Sequence, residues 1–147
     1  MWLIIEESLY KDSIVLLEGA IDEIKLKLDL IRKNKIIKNE RDPISYITSR
    51  IKTEESMKQK LMRKNIPINL DNALNKVYDA AGIRIICSYV DDVFEMANIL
   101  KQYDDMEVIK EKDYIKNPKS NGYRSYHLIL KVPVNIERNV KKVYVEV

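Results

Sequence analysis

Tyr123-Arg124-Ser125-Tyr126-His127 follows Gly122 directly and brings a flat ring, a hydroxyl and the only imidazole of the chain within five residues. Strand alternation sets Tyr123, Ser125 and His127 on one face and Arg124 and Tyr126 on the other. The preceding run, Lys116-Asn117-Pro118-Lys119-Ser120-Asn121-Gly122, is built from turn formers. A ring and an imidazole at the mouth of such a loop could form a base-stacking platform beside phosphate ligands, with stacking contributing roughly 1–3 kcal/mol per base. A tyrosine at a sheet edge and a structurally satisfied histidine explain the same residues more plainly.

Three further groups invite chemistry. Arg50, Lys52, Ser56 and Lys60 cluster around a helix start, where backbone N–H groups and flanking cations suit a polyphosphate. Glu54 and Glu55 could satisfy the same dipole, and a solvated helix face is the plainer account. Asp79 and Glu146 are carboxylates on different elements, a pair that could supply a magnesium site completed by phosphate oxygens. Their separation in sequence carries no metal signal of its own. Lys110, Lys112, Lys116 and Lys119 run into the loop, as a phosphate clamp or simply as a solvated charged stretch.

The elements that must hold these residues follow from periodicity. Ile14, Leu17, Ile21, Ile24, Leu28 and Ile31 recur at steps of three and four, one stripe of a long amphipathic helix. Asp42-Pro43 reads as an N-cap and first-turn proline opening a second helix with Ile47 and Ile51 on its apolar face. Thr53-Glu54-Glu55-Ser56 reads as a restart carrying Met57 and Leu61 inward, and Asn65-Ile66-Pro67 as its end. Ile83, Ile85 and Ile86 then predict a first, buried strand just after Asp79. Asp91-Asp92 predicts the cap of a short helix with Val93, Met96, Ile99 and Leu100 inward. Strands are expected over 106–115, 123–132 and 141–147, the last with Val143, Val145 and Val147 on one face and Tyr144 and Glu146 on the other. Helices first and a mixed sheet after make an α+β or α/β fold.

Bulk properties bound the rest. The 147 residues suffice for one domain, and a net charge of +3 from 26 basic and 23 acidic residues is too mild to argue for a nucleic-acid binder. The lone Cys87 excludes an internal disulfide and paired-thiolate zinc, and in its apolar run it reads as a buried thiol. No signal peptide or membrane-spanning stretch is evident, so a soluble, cytoplasmic protein is expected.

Taken jointly, the motifs resemble the synthetase domain of the RelA/SpoT family, in particular its small single-domain members. The resemblance rests on Asp79-Ala80-Ala81-Gly82-Ile83-Arg84-Ile85-Ile86-Cys87, on Lys119-Ser120-Asn121-Gly122-Tyr123-Arg124-Ser125-Tyr126-His127 and on Val143-Tyr144-Val145-Glu146-Val147. Ser49-Arg50-Ile51-Lys52, with Glu55-Ser56 and Lys60, also fits. It implies an α+β fold with a nucleotidyltransferase-like mixed sheet flanked by helices, residues 41–147 forming the synthetase domain and 1–40 an N-terminal helical segment. The implied activity is transfer of pyrophosphate from ATP to the 3′-hydroxyl of GDP or GTP, giving (p)ppGpp. An alternative is a catalytically impaired guanine-nucleotide-binding or regulatory module on the same fold.

The resemblance also implies roles. Asp79 would bind Mg2+, and Glu146 would share that metal or act as general base toward the 3′-hydroxyl. Arg50, Lys52, Ser56, Lys60 and Arg84 would surround ATP. Tyr123 would stack on guanine, with His127, Lys119 and Lys112 in the acceptor and phosphate site. At Lys112 the family often carries arginine, and lysine keeps the charge without the bidentate fork. The family continues past its last strand into further helices that help build a homotetramer, so the chain is expected to be cut short after Val147, with homo-oligomerisation and activity affected. Membrane and DNA partners are not expected. A single histidine also speaks against alarmone hydrolysis, which in this family uses a His-Asp metal site. An RNA-binding domain built on Tyr123 and the lysines is disfavoured by the mild charge and the absence of a second well-placed aromatic.

Overall fold

The computed structural model describes residues 9–147. A 3-10 turn (Lys11–Ser13) leads into α1 (Ile14–Ile37), followed by β1 (Ile44–Ile51), α2 (Glu54–Arg63), α3 (Leu70–Asn75), β2 (Ala81–Cys87), α4 (Val90–Lys101), β3 (Glu107–Asp113), β4 (Tyr126–Ile136) and β5 (Asn139–Glu146). The five strands form one mixed sheet in the order β1-β2-β5-β4-β3. β1 pairs with β2, β3 with β4 and β4 with β5 antiparallel, while β2 and β5 run parallel. The α+β expectation, with a mixed sheet and flanking helices, is borne out.

One face of the sheet is apolar. Leu128, Leu130, Val132 and Val134 alternate along β4, beside Val143 and Val145 of β5 and Ile83 of β2, and all are buried. α1 covers this face with the expected stripe: Leu17, Ile21, Ile24 and Leu28 are buried, and Ile14 and Ile31 pack against the same core. α4 covers its other end with Met96, Ala97 and Leu100. Asp91 and Asp92 lie in the first turn of α4, whose N-cap is Tyr89, with no capping side-chain bond. Asp92 is instead buried at 3% exposure, and its carboxylate takes a forked pair of bonds from Arg41 at 2.6 and 3.0 Å. Arg41 holds that carboxyl below the usual aspartate range.

Two expectations are corrected. Residues 44–51 are a strand, not a helix. Asp42 does accept a backbone bond, but from Ile44 at 2.9 Å, a turn that feeds an extended chain. Ile47 and Ile51 pair with Ile85 and Ala81 on the core side, and Tyr46, Thr48 and Arg50 project to the other. The strand after Asp79 is therefore the second in the sheet. Secondly, β4 begins at Tyr126, so Tyr123 belongs to the loop and reaches His127 by the loop's fold rather than by strand alternation.

Thr53 caps α2 as expected, its hydroxyl oxygen accepting from the Ser56 N–H at 3.2 Å, and Met57 and Leu61 are buried. Cys87 is half-buried against the core, and burial pushes its thiol up to about 11. Among the described residues, no helix is long and apolar enough to cross a membrane.

Candidate functional site

The second face of the sheet carries the polar residues. Register fixes a row across it: Arg50 of β1 pairs with Gly82 of β2, Gly82 with Glu146 of β5, and Glu146 with Ile129 of β4. Arg84 of β2 and Thr48 of β1 form the adjacent pair on the same side. Gly82 contributes no side chain, and a Cβ there would meet only the backbone oxygens of Glu146 and Arg50, at 3.8 and 3.9 Å. No side chain therefore stands at Gly82, between the exposed Arg50 guanidinium and the partly exposed Glu146 carboxylate.

Beyond Glu146 lies His127 of β4, whose own partner across β3 is Lys112. His127 Nδ1 stands 3.2 Å from Glu146 Oε1, and Nε2 stands 2.7 Å from Ser125 Oγ. The rings of Tyr114 and Tyr123 approach the imidazole, with centroids at 5.5 and 6.3 Å. Lys119 Nζ sits between those tyrosines, 4.7 Å from the ring of Tyr114 and 5.5 Å from that of Tyr123. A tight turn makes this possible. Gly122 adopts φ +81°, its N–H donates to the Lys119 carbonyl, and the Lys119 N–H donates to the Tyr123 carbonyl. Tyr123 remains 44% exposed, enough ring to accept a stacked base. Lower on the same face, Tyr78 packs edge-on against Tyr144 at 4.7 Å, with Lys131 over the Tyr144 ring and Lys110 over that of Tyr78.

Asp79 precedes β2. Its Oδ2 accepts from Lys52 Nζ at 3.0 Å, and Lys60 Nζ of α2 lies 3.0 Å from Oδ1 as a charge contact. Oδ1 is buried and accepts no directed hydrogen bond. Burial acts to raise this pKa, but the Lys60 and Lys52 ammonium groups outweigh it and hold the carboxyl below its ordinary value. Tyr10 closes the cluster from behind by donating its hydroxyl to the Lys52 carbonyl at 2.6 Å. Burial first, then Asp79 and Glu54, push that phenol up to about 12.

The residues singled out in the sequence thus fall into two groups. Lys52, Lys60 and Asp79 are in direct contact, with Ser56 a turn away on α2. Glu146 and His127 are in direct contact, with Lys112, Lys119 and Tyr123 around them, while Arg50 and Arg84 line the sheet between the two groups. Among the described residues no three of the His, Cys, Asp and Glu side chains gather as metal ligands. Sequence reasoning passed over Tyr114 and the link from Ser125 to His127. Period-two placement of Ser125 and His127 signalled the second, and only the β3–β4 pairing brings in the first.

Comparison with known proteins gives the chain's family. Residues 49–147 match the family model described as the region found in RelA / SpoT proteins. The chain is 38% identical over 138 residues to the GTP pyrophosphokinase YwaC of Bacillus subtilis, covering 94% of this chain and 66% of that protein. It is 36% identical over 128 residues to the GTP pyrophosphokinase YjbM of the same organism, covering 87% and 59% respectively. The chain therefore spans less than two thirds of the length of these relatives. A solved structure of the B. subtilis small alarmone synthetase 1 bound to its product pppGpp superposes with a TM-score of 0.82 at 36% identity, covering 92% of this chain and 69% of that one.

Proposed function

The chain belongs to the family defined by the region found in RelA / SpoT proteins, and we propose that it transfers pyrophosphate from ATP to the ribose 3′-hydroxyl of GDP or GTP, producing (p)ppGpp. The observation that carries this reading is the row Arg50–Gly82–Glu146 on the uncovered sheet face, with Tyr123 and Lys119 at its rim. Such a row offers a carboxylate base, a glycine position without a side chain, cations on either side and an aromatic surface for a purine.

In the proposed reaction the 3′-oxygen bonds to the β-phosphorus of ATP. The bond from that phosphorus to the α,β-bridging oxygen breaks, and its electron pair leaves on AMP. Glu146 takes the hydroxyl proton, a role worth about 10²–10⁴-fold when a base is well placed. Arg50, Arg84, Lys52, Ser56 and Lys60 hold ATP, while Lys112 and Lys119 hold the acceptor's phosphates, His127 stands beside them in the acceptor site and Tyr123 stacks on the guanine. Positioning and charge neutralisation carry most of the remaining acceleration.

The reading includes Mg2+. Asp79, the acid that Lys52 and Lys60 each contact at 3.0 Å, and Glu146 would hold it, and it would neutralise phosphate charge during transfer. Within the same proposal, residues 41–147 are the catalytic core and 1–40 a separate segment, helical over Ile14–Ile37 and with residues 1–8 outside the described residues, and the protein is cytoplasmic and acts as a homo-oligomer. Leu26, Leu30 and Ile37, exposed at 56%, 55% and 80% along the outer side of α1, offer apolar surface for such assembly.

The test is direct. Incubation with magnesium, ATP and labelled GDP or GTP should yield AMP and a 3′-pyrophosphorylated guanine nucleotide in equal amounts. Guanine-nucleotide binding without product would identify a non-catalytic module instead. Salt-sensitive RNA binding that displaces guanine nucleotide would replace both readings.

A further inference from the structure

An ionised carboxylate only accepts hydrogen bonds. Glu146 Oε1 faces His127 Nδ1 at 3.2 Å, so that ring nitrogen carries the hydrogen in this contact. In a neutral imidazole the other nitrogen is then an acceptor. The group 2.7 Å from Nε2 is the Ser125 hydroxyl, which must therefore donate. The three side chains form one directed chain, from Ser125 Oγ–H to Nε2 and from Nδ1–H to Oε1.

We infer that Ser125 and His127 are positioning residues for Glu146: the carboxylate keeps the imidazole in its Nδ1–H tautomer, Ser125 fixes the ring's orientation from the Nε2 side, and the imidazole pins one carboxylate oxygen so that Oε2 is presented to the substrate hydroxyl. This inference rests on the synthetase reading for what Glu146 does, but not for the tautomer itself. A ring held at one nitrogen alone can turn over about its Cβ–Cγ bond, which puts carbons where the nitrogens stood. Bonds at both ends, on a side chain flanked by the Tyr114 and Tyr123 rings, leave one orientation. The backbone supports the arrangement, because the Ser125 carbonyl accepts from the Tyr114 N–H at 2.8 Å and anchors the serine just ahead of β4. The assignment differs from a role for His127 as a plain phosphate ligand, in which both nitrogens would be free to meet the substrate.

The sole histidine of the chain makes the test unambiguous. In a long-range proton–nitrogen spectrum of the ¹⁵N-labelled protein, recorded without nucleotide at a pH where imidazole is neutral, Nδ1 should appear protonated and Nε2 bare. Glu146→Ala, which removes the obligate acceptor, should convert this to a mixture rich in the Nε2–H form, whereas Ser125→Ala should retain Nδ1–H. An Nε2–H ring in the unaltered protein, or an unchanged spectrum in Glu146→Ala, overturns the inference.

Kinetics supply the second arm. His127→Ala should lower kcat by about 10²-fold with KM for the guanine nucleotide within a few-fold. His127→Asn, whose amide can still donate from near the Nδ1 position, should recover most of that loss, whereas His127→Gln should not. A raised KM with kcat intact would make His127 a substrate ligand and overturn the positioning role. Should the unaltered protein form no product at all, the synthetase reading falls while the spectrum still decides the tautomer.

Discussion

Lys52 Nζ lies 3.0 Å from Asp79 Oδ2 and Lys60 Nζ lies 3.0 Å from Oδ1, so two elements close on one carboxylate from either side. Lys52 follows β1 and Lys60 sits on α2. The acid is therefore a joint between elements as well as a candidate metal ligand. The two ammonium groups together offset the charge of this carboxylate.

Replacing Asp79 by Asn should abolish turnover and also lower Tm at neutral pH, because two partly buried ammonium groups lose their counter-charge. The folded pKa is depressed below 3.8, so the carboxylate's stabilisation is present above that unfolded value and lost as pH falls through the folded one. Thermal melts from neutral pH to below about pH 4 should thus fall less steeply for Asp79→Asn than for the unaltered chain. Parallel curves would remove the ion pair from the stability account.

Glu146→Gln keeps the shape of the side chain and an oxygen for His127 while removing the base. Turnover should fall by about 10²–10⁴-fold, with affinity for both nucleotides, measured by calorimetry, within a few-fold of the unaltered protein. Wild-type-like turnover would take Glu146 out of the mechanism.

Tyr123→Ala should weaken the guanine acceptor by about 1–3 kcal/mol and leave ATP binding unchanged. The ring is 44% exposed and touches the rest of the fold mainly through Lys119 and His127, so the melting curve should hardly move. Equal losses for both nucleotides would contradict the stacking role.

Gly82 separates packing from access. Its φ is not left-handed, and an added Cβ would make only ordinary contacts at 3.8 and 3.9 Å. Gly82→Leu should therefore fold with a near-normal Tm yet project its side chain between Arg50 and Glu146, blocking nucleotide binding. A well-folded variant with normal affinity would mean that substrates do not cross this row.

Much of this was readable in the sequence because it depends on local periodicity. The α1 stripe, the Thr53 cap, the β-branched run of β2 and the alternation of β5 each involve residues a few positions apart. The stretch 44–51 misled because Asp42 does bond to a backbone N–H, the signature of a cap, and Ile47 and Ile51 happen to be spaced as on a helix. Its abundance of isoleucine and threonine with Tyr46 was the stronger signal, together with the period-two order of Ile47, Ser49 and Ile51. α3, opened by the Asn69 side chain accepting from Asn72, was short enough to escape notice.

Contacts that join distant segments were not legible. Nothing local announces that Asp79 meets Lys52 and Lys60, that Arg41 forks onto Asp92, or that Tyr114 flanks His127. Each depends on strand order and register, which a single sequence does not specify. Residue chemistry and motif resemblance together pointed to the candidate residues, and the fold shows which of them touch.

The sheet has a seam. β1 and β2 form one antiparallel unit and β3, β4 and β5 another, and the two meet only where Ala81 and Gly82 run beside Val145 and Glu146. Closing that junction brings together segments far apart in the chain, a costly, late kind of contact for a folding polypeptide. Gly82 sits on this junction, with Arg50 delivered by one unit and Glu146 by the other. The two sides of the candidate site are thus contributed by separate units, and a chain with only one of them formed carries only half of it.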